Sequence, residues 1–237
     1  MYKRIVIKLS GEALGNDHSL YDDTVIDSLV KDIKDTLESG VQICLALGGG
    51  NIWRGQQGKN IDPPKADQMG MLATVINSMY LSERLIASGV GAVVFTPFSV
   101  GTFTTQFSKE LAIECLEQGK VAIFGGGTGH PFFSTDTIPA LRACELNCDC
   151  VLFAKNINGI YDKDPNIHTD AIRYETLTYR DIITKNLQAI DIAAMVLCEK
   201  HNIPSIVFSL KEPGSIKISA HSKGKSLTIG TTIKGSQ

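Results

Sequence analysis

Val41-Gln42-Ile43-Cys44-Leu45-Ala46-Leu47-Gly48-Gly49-Gly50-Asn51 is a nearly unbroken apolar run that stops abruptly at three glycines. Its length and its turn-like end mark a strand buried on both faces, as in a parallel sheet. Two further stretches repeat the arrangement. Arg4-Ile-Val-Ile-Lys-Leu9 runs into Ser10-Gly11, and Lys120-Val-Ala-Ile-Phe124 runs into Gly125-Gly-Gly-Thr-Gly129. Glycine turns freely and lets backbone N–H groups approach a ligand with no Cβ in the way. Such loops at the carboxyl ends of buried strands are how α/β proteins hold phosphates. One glycine loop is commonplace. Three on one sheet edge point to a ligand with several phosphates.

Helical and strand patterns alternate around these loops. Val25, Ile26, Leu29, Val30, Ile33 and Leu37 recur at helical spacing, and Gly40 is placed to end that helix. A long helix is expected from about Met69 to Ala87, with Asp67 standing before it as a possible N-cap, then a strand over Val90–Thr96. A helix over Gln106–Gln118, the strand Val121–Phe124, and a helix through Leu146 capped by Thr135 or Asp136 follow. Cys150–Ala154 reads as a buried strand, followed by the turn-rich Asn158–Pro165. Helices near Tyr179–Thr184 and Asp191–His201, the strand Ser205–Ser209 and a last strand over Ser226–Gly230 complete the pattern. The expectation is an α/β fold, a single α/β/α sandwich with a mostly parallel sheet.

Composition narrows the function classes. A net charge of −2 gives no sign of a nucleic-acid or membrane partner, so any phosphate binding must be local. No apolar run approaches the ~18 residues of a membrane helix, and Lys8 interrupts the apolar start that faintly mimics a signal peptide. A cytoplasmic location is expected. Cys144, Cys148 and Cys150 could be drawn as a metal cluster, but they form no C-x-x-C pair and have no histidine at ligand spacing. Reduced thiols packing as small hydrophobes, with Cys44, Cys115 and Cys198, are the simpler reading.

The glycine loops fit neither common nucleotide motif. Gly48–Asn51 is followed by Ile52-Trp53-Arg54, not by the lysine and hydroxyl of a Walker loop. Gly125–Gly129 lacks the acidic ribose-binding residue of a dinucleotide fold. Lys8 is the sharper signal. A lysine in a strand buried on both faces is costly unless it is paired or reaches a ligand crevice. Beside Ser10-Gly11 it would meet phosphate oxygens. Arg54 offers a planar fork for phosphate, or is a surface arginine. Trp53 alone would more often pack than stack on a base. Asp67 either caps its helix or accepts hydrogen bonds from ribose hydroxyls. Thr128-Gly-His-Pro-Phe-Phe-Ser-Thr-Asp136 is rich in donors and leads into a helix N-terminus, which suits a phosphate. Phe132 and Phe133 can be read as core, and His130 as a hydrogen-bonding residue, not a base.

At these residues the chain resembles the bacterial uridylate kinases of the amino acid kinase superfamily. The matching stretches are Lys8-Leu-Ser-Gly-Glu-Ala-Leu, Gly48-Gly-Gly-Asn-Ile-Trp-Arg-Gly, Asp67-Gln-Met-Gly-Met-Leu-Ala-Thr, Thr128 through Asp136, Gly159-Ile-Tyr-Asp-Lys-Asp-Pro and Ile190-Asp-Ile-Ala-Ala. They run in family order across nearly the whole chain. The resemblance implies one amino acid kinase domain over residues 1–237, its N-terminal part mainly for UMP and oligomerisation, its C-terminal part mainly for ATP. It implies transfer of the γ-phosphate of MgATP to UMP, in a cytoplasmic homohexamer of the pyrimidine pathway that UTP inhibits.

Residue by residue, the resemblance places Lys8, Leu9, Ser10, Gly11, Gly50 and Arg54 on the ATP phosphates. Tyr161 and Asp164 fall beside its base and ribose, and a further ATP contact falls at Lys155 or Asn156. Gly49, Asp67 and Thr128, Gly129, His130, Pro131, Phe132, Phe133, Ser134 and Thr135 would hold UMP. Asp136 and Asp191 would position the lysine and Mg²⁺, completing a catalytic set with Lys8 and Arg54. No phosphoenzyme is expected, since phosphoryl transfer asks mainly for alignment and charge stabilisation. The chain departs from the family where His130 replaces an asparagine, where the loop Gly15–Leu20 is short, and where Ser82 replaces a GTP-contacting arginine. Activation by GTP is therefore expected to be weak or absent. The competing readings are a superfamily member acting on a carboxylate or carbamate, and a silent nucleotide sensor.

Overall fold

A computed structural model describes residues 1–16, 18–53, 60–185, 187, 190–225 and 227–235. The strands are β1 (Arg4–Leu9), β2 (Gln42–Leu47), β3 (Ala92–Thr96), β4 (Thr105–Gln106), β5 (Val121–Phe124), β6 (Cys150–Lys155), β7 (Thr176–Thr178), β8 (Ser205–Ser209) and β9 (Thr231–Lys234). The helices are α1 (Asp23–Leu37), α2 (Pro63–Ala87), α3 (Lys109–Glu117), α4 (Thr137–Glu145), α5 (Tyr179–Thr184), α6 (Ile192–Lys200) and α7 (Ser215–Ala220), with a 3-10 turn at Gly11–Leu14. The described strands form one sheet in the order β4-β3-β5-β2-β1-β6-β8-β9-β7. Strands β1 to β6 and β8 pair in parallel, and only β9 meets its neighbour β8 antiparallel.

Strand alternation builds two cores from one sheet. Ile5, Ile7 and Leu9 of β1, Ile43, Leu45 and Leu47 of β2, and Cys150, Leu152 and Ala154 of β6 face one side, under α1, α2 and α7. Val6, Cys44, Ala46, Val151 and Phe153 face the other, under α3, α4, α5 and α6. The result is the α/β/α sandwich expected. Because the central strands are parallel, the loops after β1, β2, β5, β6 and β8 all leave from the same edge.

Several elements differ from the sequence expectation, each for a local reason. Helix α2 starts at Pro63 instead of Met69, because Pro63-Pro64 occupy a first turn where no N–H bond is missed. Asp67 is thus inside the helix and caps nothing. Gln106 belongs to β4, and α3 starts later, where the Ser108 hydroxyl caps the Leu111 N–H at 3.2 Å. The last strand is Thr231–Lys234, not Ser226–Gly230; Ser226 itself lies outside the described residues. Gly230 turns with φ 76°, and a Cβ there would sit 2.5 Å from the Val207 carbonyl, so pairing with β8 begins only beyond it. Asp136 occupies the N-cap position of α4 but bonds no amide of that helix.

Among the described residues all six cysteines are free, and five of them are buried. Burial pushes the Cys115 and Cys198 thiols up to about 11 and those of Cys44 and Cys150 further. They pack as apolar residues. No described helix is long and apolar enough to cross a membrane.

Candidate active site

The site begins with strand parity. Lys8 lies on the same face of β1 as Val6, one position before the strand ends, and only 7% of it is exposed. On neighbouring β6, Phe153 stands opposite Lys8, and Lys155 is the next residue on that face. Two lysines therefore converge where the strands end, under the start of α4. Asp136 enters between them. Its carboxylate meets the Lys8 ammonium at 2.9 Å and the Lys155 ammonium at 3.3 Å. Burial alone would raise its pKa, but the charges of Lys8 and then Lys155 outweigh that and hold the carboxyl below its ordinary value. This explains why Asp136 leaves α4 uncapped. The cluster carries a net positive charge at the sheet edge.

The first two glycine loops close over this edge. Gly48 N–H donates to the Leu9 carbonyl at 2.8 Å, tying the β2 loop to β1. A Cβ on Gly11 would come 2.8 Å from the Gly50 nitrogen and 3.0 Å from the Gly48 oxygen, so only glycine fits this contact. Helix α2 fixes two loops from the side. Buried Asn77 donates to the Gly48 carbonyl at 2.7 Å and to Asn51 Oδ1 at 2.8 Å. Buried Thr74 accepts from the Gly126 N–H at 2.7 Å. Neither residue was singled out from sequence. The available signal was Thr74, Asn77 and Ser78 standing at core spacing with Leu81 and Leu85.

A cleft of ≈ 280 Å³ opens above these loops. Its walls include Lys8, Ser10, Gly11, Gly49, Gly50, Trp53, Asp67, Thr128, His130, Phe133 and Thr135. Trp53 donates its indole N–H to the Ala66 carbonyl at 2.9 Å, so one side of it packs on α2. Asp67 projects from α2 and accepts the Phe132 N–H at 2.7 Å. Phe132 holds φ 71°, a conformation that costs a side-chain-bearing residue on the order of 1 kcal/mol. Phe132 and Phe133 are 77% and 56% exposed, which corrects the reading of them as core. Exposed rings and a strained backbone mark a binding loop more than a packing one. Asp136 N–H donates to Ser134 Oγ at 3.1 Å, fixing the end of the loop.

A second cleft of ≈ 550 Å³ lies beyond β6 and is lined by Lys155, Asn156, Gly159, Tyr161, Asp164 and Val207. Its rim is pinned to β9, because Ile160 N–H donates to Thr231 Oγ1 and Gly230 N–H to Asn158 Oδ1, both at 2.8 Å. Between the clefts a third space of ≈ 490 Å³ holds Ser134, Asp136, Lys155 and Asp191. Asp191 Oδ1 caps α6 at Ala193 and accepts from Thr137, and the residue lines that space. Leu9, Gly129, Pro131 and Phe132 line none of the three, and Arg54 lies outside the described residues. The sequence-expected residues thus divide into two clefts, one lined by Lys8 and the other by Lys155, which Asp136 links through its two ion pairs. Such an arrangement can hold two anionic ligands end to end with a cation at their junction.

The amino acid kinase family model matches residues 3–209. The fold superposes on the crystal structure of UMP kinase from Bacillus anthracis with TM-score 0.93 and 33% identity, covering 100% of this chain and 97% of that one. UMP kinase from Ureaplasma parvum gives TM-score 0.90 and 34% identity, covering 99% of each chain. Uridylate kinase from Archaeoglobus fulgidus, at 24% identity, shares the fold with TM-score 0.75 over 97% of this chain and 99% of that one. With a family model spanning most of its length and this sheet beneath its clefts, the chain belongs to the amino acid kinase family.

Proposed function

We infer that the chain is a UMP kinase, which transfers the γ-phosphate of ATP to UMP and releases UDP and ADP. The observation that carries this reading is the Lys8–Asp136–Lys155 cluster at the junction of two clefts. The cleft with Asp67 and Thr128–Thr135 is assigned to UMP, and the one with Tyr161 and Asp164 to ATP. The likeness to structures named UMP kinases supports the acceptor. Lys8 aligns the reacting phosphates and stabilises the charge that spreads over the moving phosphoryl group. Backbone N–H groups of the glycine loops add donors that need no reorganisation. Asp136 holds both lysines in place through its two ion pairs. The UMP phosphate oxygen attacks in line, and no side chain serves as a nucleophile.

The donor set suits Mg²⁺ that arrives on the triphosphate. Among the described residues no group of three His, Cys, Asp or Glu could cage a metal, whereas Asp191 offers one carboxylate oxygen beside Asp136. Bound there, Mg²⁺ would neutralise charge on the phosphates. The N-terminal part of the chain is assigned to UMP and the C-terminal part to ATP, within one domain. A cytoplasmic homohexamer in pyrimidine nucleotide synthesis, inhibited by UTP at the UMP cleft and little activated by GTP, completes the reading. Release of ADP, measured with UMP, CMP, dUMP, glutamate and carbamate as acceptors, tests it. Turnover with UMP supports it; turnover only with glutamate or carbamate, or none with any acceptor, overturns it.

A further inference from the structure

Strand β8 ends at the same edge as β1 and β6, and its last residue, Ser209, pairs with Lys155. The loop that follows is fixed at both ends. The Lys211 N–H donates to Ser209 Oγ at 3.2 Å. At its far end α7 begins, and the buried Asp32 carboxylate of α1 accepts the Ile216 and Lys217 N–H groups at 2.9 and 3.3 Å. A loop tied down in this way presents its side chains from a defined position.

Lys211 borders two adjoining cavities. One, of ≈ 710 Å³, also touches Glu12, Gly50, Asn51 and Asn156. The other, of ≈ 320 Å³, also touches Glu12, Lys155 and Asn156. Asn156 belongs to the second cleft and Gly50 to the first, so the space beside Lys211 joins them. Charge supplies the second argument. Lys8 and Lys155 share one carboxylate, whereas Lys211 forms no ion pair among the described residues. A triphosphate bridging the clefts brings several negative charges along this space, and an uncommitted ammonium on a fixed loop answers them.

We propose that Lys211 binds the phosphates of the nucleoside triphosphate donor, from the β8 side of the channel. The proposal rests on the kinase reading above. It separates Lys211 from Lys8, which acts at the transfer point, and gives it a role in holding the donor. The test is calorimetric titration of the full chain with ATP, adenosine and UMP, for wild type, Lys211→Ala and Lys211→Arg. Loss of one charged hydrogen bond at an exposed position should raise the ATP dissociation constant about tenfold in the alanine variant. Adenosine and UMP affinities should not move, and arginine should keep ATP affinity within about threefold of wild type. Unchanged ATP affinity in Lys211→Ala would overturn the proposal, as would equal weakening for ATP and adenosine, which would mark a displaced loop. Intact UMP binding reports that the variant is folded. Wild-type chain that binds ATP but makes no UDP would overturn the kinase reading while leaving the Lys211 comparison readable.

Discussion

On the proposed kinase reading the chemistry of this chain rests on Lys8, a residue that strand burial would exclude if it had no task. Its position was legible in sequence because a charge inside an apolar strand stands out. Its partner was not, since nothing local links Asp136 to β1; the sequence offered Asp136 as a cap for α4 or, by resemblance, as a residue that positions the lysine. Replacing Lys8 with Ala should lower kcat by about 10²–10³-fold, the scale for removing one preorganised stabilising donor, with little change in UMP affinity. Steady-state rates against UMP concentration check this, and near-normal turnover would assign Lys8 to structure. Asp136→Asn leaves two lysines facing each other without a carboxylate. Breaking a buried ion pair costs about 3 kcal/mol, or about 6–12 °C in Tm for a chain of this size. The sign of the pH dependence follows from the depressed pKa of Asp136. A carboxylate with a lowered folded-state pKa contributes stability above its unfolded value, near 3.9, and loses it as pH falls through the folded value. The Tm gap between wild type and Asp136→Asn should therefore be flat from pH 8 to about 5 and shrink below about 4. A gap that shrinks already between pH 7 and 5 would contradict the assignment.

At the scale of elements, long periodic segments could be read and short or tertiary ones could not. Helix α1 and strands β1, β2, β5 and β8 carry their own pattern in apolar spacing. Strands β4 and β7, of two and three residues, are too short to show a period, and α7 shows no cap in its own sequence. Its cap is Asp32, supplied through space from α1. Asn77 and Thr74 illustrate the same limit, because polar residues at core spacing gain meaning only when the loops they hold are in view. Asp32 can be tested directly. Burial raises its pKa despite the two N–H donors, yet its removal leaves those donors unmatched. Asp32→Ala should destabilise the chain by about 1–2 kcal/mol, or about 2–8 °C in Tm, while Asp32→Asn should lose less. Thermal unfolding of the two variants checks this, and an alanine variant as stable as wild type would show that α7 needs no cap.

At the scale of the molecule, α2 has two faces. One holds the glycine loops, and the other leaves Met69, Leu72, Ile76, Met79 and Ile86 exposed at helical spacing. An apolar row of this length suits contact with another copy of the chain, which supports the proposed homohexamer. Light scattering after gel filtration should give a mass near six times the 25.6 kDa chain. Leu72→Asp combined with Ile76→Asp should shift that mass to smaller species, and a variant that kept the wild-type mass would place the interface elsewhere. The central claim, that the Lys8 junction passes phosphate from ATP to UMP, is tested most directly by kcat/KM for UMP and CMP with the products identified. The account predicts UDP and ADP in equal amounts, and a preference for UMP that can reach roughly 10⁴, because a site hydrogen-bonded to uracil leaves polar groups unpaired with cytosine. Comparable kcat/KM for the two nucleotides, or ADP formed without UDP, would contradict it.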